Sequence, residues 1–418
     1  MKRSNAAVGR ARDFVAQMPE SGEFVPTPIG RIIYGKDSTL RLGAEIDSLK
    51  KSRVVVICSK SLSRADALVR VKDVLGNRCV GIFTETEAHV PRASAIRAAN
   101  AIRAARADLT VTLGGSTCID TARAAGILVA NNKETSNDDA DRAIFDRYRI
   151  RFTYPDKREA EEMAHPPLPF IAIPTTLSGG EFTFGLGMKN DATDEKEIFF
   201  DRGLAPRAVI LDAGMTQWTP PELWTATGVK AIDHCVESIY SKRHMPLNDA
   251  LCAHALMILT ECLEPSVDDP TLRLQCQIGA WLAMYAVYPS VGPGIGHAID
   301  HQLGARSGVP HGIAAAIMLP HAMAYNRAAG EPRFKLMVDA LGLEPAGLSD
   351  APAADCMIAF IKQFIAQLGL PQRLRDAGVA REDLSRIADD TWRDLVISTN
   401  PRIVGGAQEI LALLEEAW

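Results

Sequence analysis

Short runs of β-branched and other apolar residues alternate, over the first half of the chain, with longer stretches whose apolar positions recur at helical spacing. Val54–Cys58, Cys79–Phe83, 109–113, Phe170–Pro174 and Ala208–Leu211 are brief and almost continuously apolar, which predicts strands buried on both faces. The stretch ending at Leu75 and those over 93–105 and 120–129 are alanine-rich and predict helices. Strands and helices in strict alternation imply a parallel sheet covered on both sides. After about Asp212 the strand signal stops. Leu247, Leu251, His254, Ala255, Ile258, Leu259 and Cys262 follow helical spacing, as do Ile358, Ile361, Phe364, Ile365 and Leu368. The expected fold is therefore α/β followed by all-α: a Rossmann-like parallel-sheet unit over 1–212, then a helical unit over 213–418, each long enough to bury its own core. The polar, acid-rich segment 132–168 interrupts the first unit. It is expected to be an inserted surface element exposed to solvent, with a lid or an oligomer contact as alternatives.

Composition narrows the class without changing that layout. With 47% hydrophobic and 23% charged residues the chain reads as an ordinary soluble globular protein. A formal net charge of −5 leaves no electrostatic footprint for nucleic acid or an anionic membrane, so the expected partners are a small-molecule substrate and a second copy of the chain, as a homodimer. The eight cysteines stand singly among apolar neighbours, which is reduced, cytoplasmic usage. The N-terminus carries Lys2, Arg3, Arg10 and Arg12 with no apolar core of a leader. No stretch reaches the ~18 apolar residues of a membrane helix.

Candidate chemistry concentrates in two places. His297, His301 and His311 are three of the nine histidines and fall within fifteen residues, bracketed by glycines. The first two are four apart, which on a helix stacks both rings on one face, and Pro310 and Gly312 place the third at a chain reversal. A single histidine would read as a hydrogen-bonded structural residue; this density reads as a site. The second place is the end of the 109–113 strand. Gly114, Gly115, Ser116, Thr117 and Asp120 lead from strand into helix, where glycines and free amides can cradle a pyrophosphate. Thr175, Thr176, Ser178, Glu181 and Thr183 follow another strand with hydroxyls and glycines suited to the same ligand. No G-x-G-x-x-G accompanies the first strand, so the common dinucleotide fingerprint is not used.

Together these pieces resemble the iron-containing alcohol dehydrogenase superfamily, most closely its maleylacetate reductase branch. The resemblance rests on 114–120, on 174–183, on the helix 228–237, on His297-x-x-x-His301-x-Leu-Gly304, on Pro310-His311-Gly312, and on Asn400-Pro401-Arg402. It implies the dehydroquinate synthase-like fold, a dinucleotide cofactor, and a catalytic cleft between the two units. Metal-dependent relatives hold Fe²⁺ or Zn²⁺ with an aspartate and three histidines, corresponding here to His234, His297 and His311, while His301 matches the additional active-site histidine.

The metal-binding aspartate, however, is replaced by Lys230. A divalent ion ~5 Å from an ammonium would be repelled by roughly 7 kcal/mol where a carboxylate would attract it, and neutralising the lysine at neutral pH costs about 5 kcal/mol. Asp233, beside His234 and about a hundred degrees round the helix, is not expected to replace the lost carboxylate. The expectation is a metal-independent site in which the Lys230 ammonium hydrogen-bonds the substrate oxygen as charge develops, with His301 as proton relay and His234, His297 and His311 lining the pocket. NAD-specific relatives carry an aspartate after the first strand, where this chain has Ser59 and Lys60, so NADPH or both cofactors are compatible with the sequence. The implied reaction is hydride transfer to a small carbonyl or enol-type substrate bearing a carboxylate. The alternatives are a dehydrogenase with Zn or Fe on His234, His297 and His311, and a non-catalytic nucleotide-binding protein.

Overall fold

Ten strands are present among the described residues: Arg31–Tyr34 (β1), Val54–Cys58 (β2), Cys79–Phe83 (β3), Leu109–Gly114 (β4), Arg151–Thr153 (β5), Lys157–Glu159 (β6), Phe170–Pro174 (β7), Gly185–Lys189 (β8), Lys196–Phe200 (β9) and Ala208–Leu211 (β10). The structure is a computed structural model and describes residues 19, 21, 23–132, 138–154, 157–285, 287–344 and 348–418. Lys2, Arg3, Arg10 and Arg12 and positions 133–137 of the polar segment lie outside the described residues.

Six strands form one sheet in the order β1-β10-β7-β4-β2-β3, every neighbouring pair parallel. Each of the five apolar runs is one of these strands. Helices Leu42–Ser48 (α1) and Asp66–Leu75 (α2) cover one face and Arg92–Ala104 (α3) and Ser116–Asn131 (α4) the other. The pleat divides β2 accordingly: Val54, Val56 and Cys58 enter one core, Val55 and Ile57 the other. The strand order reverses between β2 and β4, so their carboxyl ends flank the crevice where open α/β sheets bind ligands.

Strict alternation is broken by two antiparallel hairpins, β5–β6 and β8–β9. Glycines in β8 and charges in β9 hide their period-two pattern, and β1 has only four residues. The polar segment is also less detached than its composition suggests. It folds into helix Asp138–Tyr148 (α5), with Phe145 and Tyr148 buried, and into the β5–β6 hairpin. Tyr154 of that hairpin packs against Trp392 with ring centroids 4.2 Å apart. The segment therefore reaches the helical half.

All described strands end by Leu211. Beyond it come Pro221–Ile239 (α6), Pro246–Cys262 (α7), Pro270–Tyr285 (α8), Ile295–Ser307 (α9), His311–Leu341 (α10), Asp350–Gln367 (α11), Leu384–Thr391 (α12) and Ala407–Ala417 (α13). Every residue of α6 from 224 to 239 is buried, so this helix runs through the middle of the helical core. Among the described residues no helix is long and apolar enough to cross a membrane.

Candidate active site

Two loops at the sheet's crevice form the first wall of a cavity of about 510 Å³. Gly114 ends β4 at φ 149°, a conformation that glycine adopts without strain, and α4 begins two residues later. The second loop folds onto the first: Thr175 N–H donates to Gly114 O at 3.2 Å, and the hydroxyls of Ser116 and Ser178 lie 2.8 Å apart. A Cβ added at Gly115 would lie 2.7 Å from Thr176 Oγ1. Ser59, Gly115, Ser116, Thr117, Asp120, Thr175, Thr176, Ser178 and Thr183 border the cavity.

Three of the residues singled out in the sequence lie elsewhere. Lys60 is exposed and is not part of the cavity wall, although its neighbours Ser59 and Ser61 both border the cavity. Gly114 is buried in the strand end behind the wall. Glu181 is buried in the short 3₁₀ turn Gly180–Phe182, where burial pushes its carboxyl up to about 7. Asp120 does face the cavity, but its carboxylate pairs with the buried Arg123 at 2.9 Å, and Arg123 donates onward to Thr183 O and Leu204 O. It thus ties the two loops together.

The helical half supplies the opposite wall, where Lys230, His234, His297, His301 and His311 all border the cavity. His297 and His301 share a face of α9, with ring centroids 4.8 Å apart, and His311 opens α10, 5.8 Å from His301. The start of α9 is fixed by the buried Glu237 carboxylate, which accepts from the backbone N–H groups of Gly294, Gly296 and His297, and by Asn400, which accepts from Ile295. Burial first, and the Lys230 charge next, push His234 and His297 well below the usual imidazole range; burial and Lys196 do the same to His311. These rings are neutral.

Lys230 is held by three partners: Asp233 Oδ2 at 2.8 Å, Asp300 Oδ2 at 2.7 Å and His297 Nδ1 at 2.9 Å. Burial opposes its charge, but the two carboxylates outweigh that and hold its pKa above the ordinary lysine value. An ammonium has three N–H donors and no lone pair, so all three are engaged and none remains for a substrate oxygen. The expected direct contact between Lys230 and the substrate is therefore not what this arrangement offers.

Asp233 also departs from expectation. Asp233, His234 and His297 each bring a donor atom to within 4.8 Å of the others, a group that can hold a metal ion, whereas His311 lies outside it. Adjacent positions on a helix point apart, yet α6 is enclosed on all sides, and α9 packs where side chains from both positions meet. Among the described residues, Asp233 Oδ1, Asp300 Oδ1 and His234 Nδ1 are buried with no hydrogen-bond partner.

His301 Nδ1 lies 2.8 Å from Asp394 Oδ2, which also accepts from Gln302, while Asp394 Oδ1 accepts from the Val396 N–H. Sequence reading missed Asp394, 93 positions away, and Asp300, although the latter stands between the two α9 histidines. It also missed Lys196 of β9, which borders the cavity with no carboxylate in ion-pair contact among the described residues.

Comparison with known proteins places the fold in a family. Residues 29–213 match the model of the family "Iron-containing alcohol dehydrogenase", and residues 224–418 match "Fe-containing alcohol dehydrogenase family, C-terminal". A dehydrogenase of Alternaria alternata is 33% identical over 382 residues, covering 84% of this chain and 94% of its own. Maleylacetate reductase 2 of Cupriavidus pinatubonensis is 29% identical over 315 residues, covering 75% and 76%. The crystal structure of a 1,3-propanediol oxidoreductase superposes with a TM-score of 0.85 at 25% identity, covering 96% of this chain and 100% of that one.

Proposed function

The chain belongs to the iron-containing alcohol dehydrogenase family and is an oxidoreductase; from that premise we propose that it reduces a small carbonyl or enol-type substrate bearing a carboxylate, using NAD(P)H, with Lys230 in place of a metal ion. The observation that carries this reading is the Lys230 ammonium, seated between Asp233, Asp300 and His297.

The residues present fit the cofactor. The glycine and hydroxyl loops and the start of α4 would hold its pyrophosphate, with Ser59 at the strand end toward the ribose. When bound, NAD(P)H supplies the hydride. They do not fit a divalent ion while Lys230 is charged, because its ammonium is hydrogen-bonded to two of the three candidate donors, Asp233 and His297. An ion there would sit against a fixed positive charge.

Lys230 instead acts through His297. Since the ammonium can only donate, His297 Nδ1 must accept, which leaves the ring's proton on Nε2. That N–H, made a stronger donor by the adjacent charge, is the group that stabilises the developing oxyanion. His301 has the complementary arrangement: its Nδ1–H points at the Asp394 carboxylate, so Nε2 is the nitrogen that exchanges a proton with the substrate oxygen. Lys196, in no ion pair among the described residues, has its charge opposed by burial and favoured by Asp120 and Asp394; as an ammonium it suits an anionic ligand group.

A second reading, a metal-dependent dehydrogenase, is favoured by the Asp233, His234 and His297 group. Elemental analysis and chelation separate the two. Purified protein should contain far less than stoichiometric Fe or Zn, and prolonged chelation should leave NAD(P)H-dependent reduction of a carbonyl panel intact. Stoichiometric metal, lost together with activity, would establish the second reading instead.

A further inference from the structure

The loop between β3 and α3 contains two consecutive residues in the left-handed region, His89 at φ 60° and Val90 at φ 49°. That backbone is unfavourable for a β-branched residue, and strain of this kind gathers at binding sites. It is held in place by the Lys189 N–H of β8, which donates to the carbonyls of both residues at 3.0 and 3.1 Å, and by the burial of Val90. As a result His89, from the sheet half, is presented to the helical half. Its ring lies against Gly304 of α9, where a Cβ would come within 2.6 Å of His89 Cε1, and its centroid is 5.7 Å from that of His311. It borders the cavity, and the hydride transfer proposed above makes no use of it.

The chemistry of this ring selects its ligand. Burial, followed by the charges of Lys196 and Lys189, pushes its pKa down to about 4, so it is neutral. A neutral imidazole offers one N–H and one lone pair. One ring nitrogen donates its N–H to the Gly308 carbonyl, which leaves the lone pair of the other; that lone pair accepts from a hydroxyl and repels a carboxylate.

We infer that His89 is a substrate-recognition residue that hydrogen-bonds a hydroxyl carried by the substrate in addition to its reducible carbonyl, so that hydroxy-carbonyl compounds are the preferred class. This rests on the carbonyl-reductase reading.

The test uses the full-length protein with matched carbonyl compounds, hydroxypyruvate against pyruvate and glycolaldehyde against acetaldehyde, in the presence of NADH or NADPH. For at least one pair the wild type should favour the hydroxylated member in kcat/KM on the order of tenfold or more. His89→Phe should bring that ratio close to one. His89→Gln, whose amide both donates and accepts, should restore part of it, and Gly304→Ala, which displaces the ring without altering it, should lower it. An active wild type with no such preference, or a ratio unchanged in His89→Phe, overturns the inference alone. A wild type that reduces no carbonyl overturns the proposed function, and this inference with it.

Discussion

Lys230 carries the largest electrostatic commitment of any single residue in the site. Lys230→Met removes the donor that fixes the His297 tautomer and should lower kcat on the order of a hundredfold or more. It also leaves Asp233 and Asp300 buried without their cation, which should cost about 3–5 kcal/mol in urea unfolding. Lys230→Asp does the reverse electrostatically, placing a further carboxylate beside His234 and His297. It should acquire Fe or Zn detectable by elemental analysis, and a metal-free variant would contradict the role assigned to the lysine charge. Glu181 sets a pH dependence of another kind. Its folded pKa of about 7 lies above the unfolded 4.5, so its contribution to stability is fully present below about pH 4.5 and is lost as pH rises through about 7. Glu181→Gln should therefore leave stability unchanged near pH 4 and raise it by about 3 kcal/mol at pH 8. Equal unfolding free energies at pH 8 would contradict the buried carboxylate.

Elements position these residues by their ends. β2 and β4 deliver Ser59 and Gly115 to the crevice because they flank the reversal in strand order, and α4 starts immediately beyond. With Lys60 outside the cavity wall, Ser59 and Ser61 are the polar residues of this strand end that border the cavity. Ser59→Asp would face a 2′-phosphate with a carboxylate and should shift the ratio of kcat/KM values toward NADH. An unchanged ratio would place the adenosine ribose elsewhere. α9 is located at its start by Glu237 from α6 and by Asn400 from the segment before α13. Its histidines thus depend on residues outside the cavity wall.

At the scale of the molecule, the sheet half offers glycine and hydroxyl loops and the helical half offers imidazoles, and neither wall alone encloses the cavity. Cofactor binding should consequently stabilise the whole fold. NADPH at a hundredfold excess over its Kd should add about 2.7 kcal/mol, read as a rise in Tm. Gly115→Asp should abolish that rise, because its side chain would run into Thr176 and repel the phosphates. A preserved rise would remove the cofactor from these loops.

The five apolar strands, the helical second half, the glycine and hydroxyl turns and the clustering of His297, His301 and His311 were legible in the sequence, because each is written in local periodicity or in residues close together along the chain. β1 and the two hairpins were not, their patterns being short or masked by glycine and charge. Nor were Asp394 beside His301, Lys196 in the cavity wall, or His89 against Gly304, since those partners are far apart in sequence. The replacement of an aspartate by Lys230 could be seen in one dimension, but its consequence could not. Only the packing of α9 against α6 decides that all three of its N–H groups are engaged, because hydrogen-bond saturation depends on distances that local sequence does not encode.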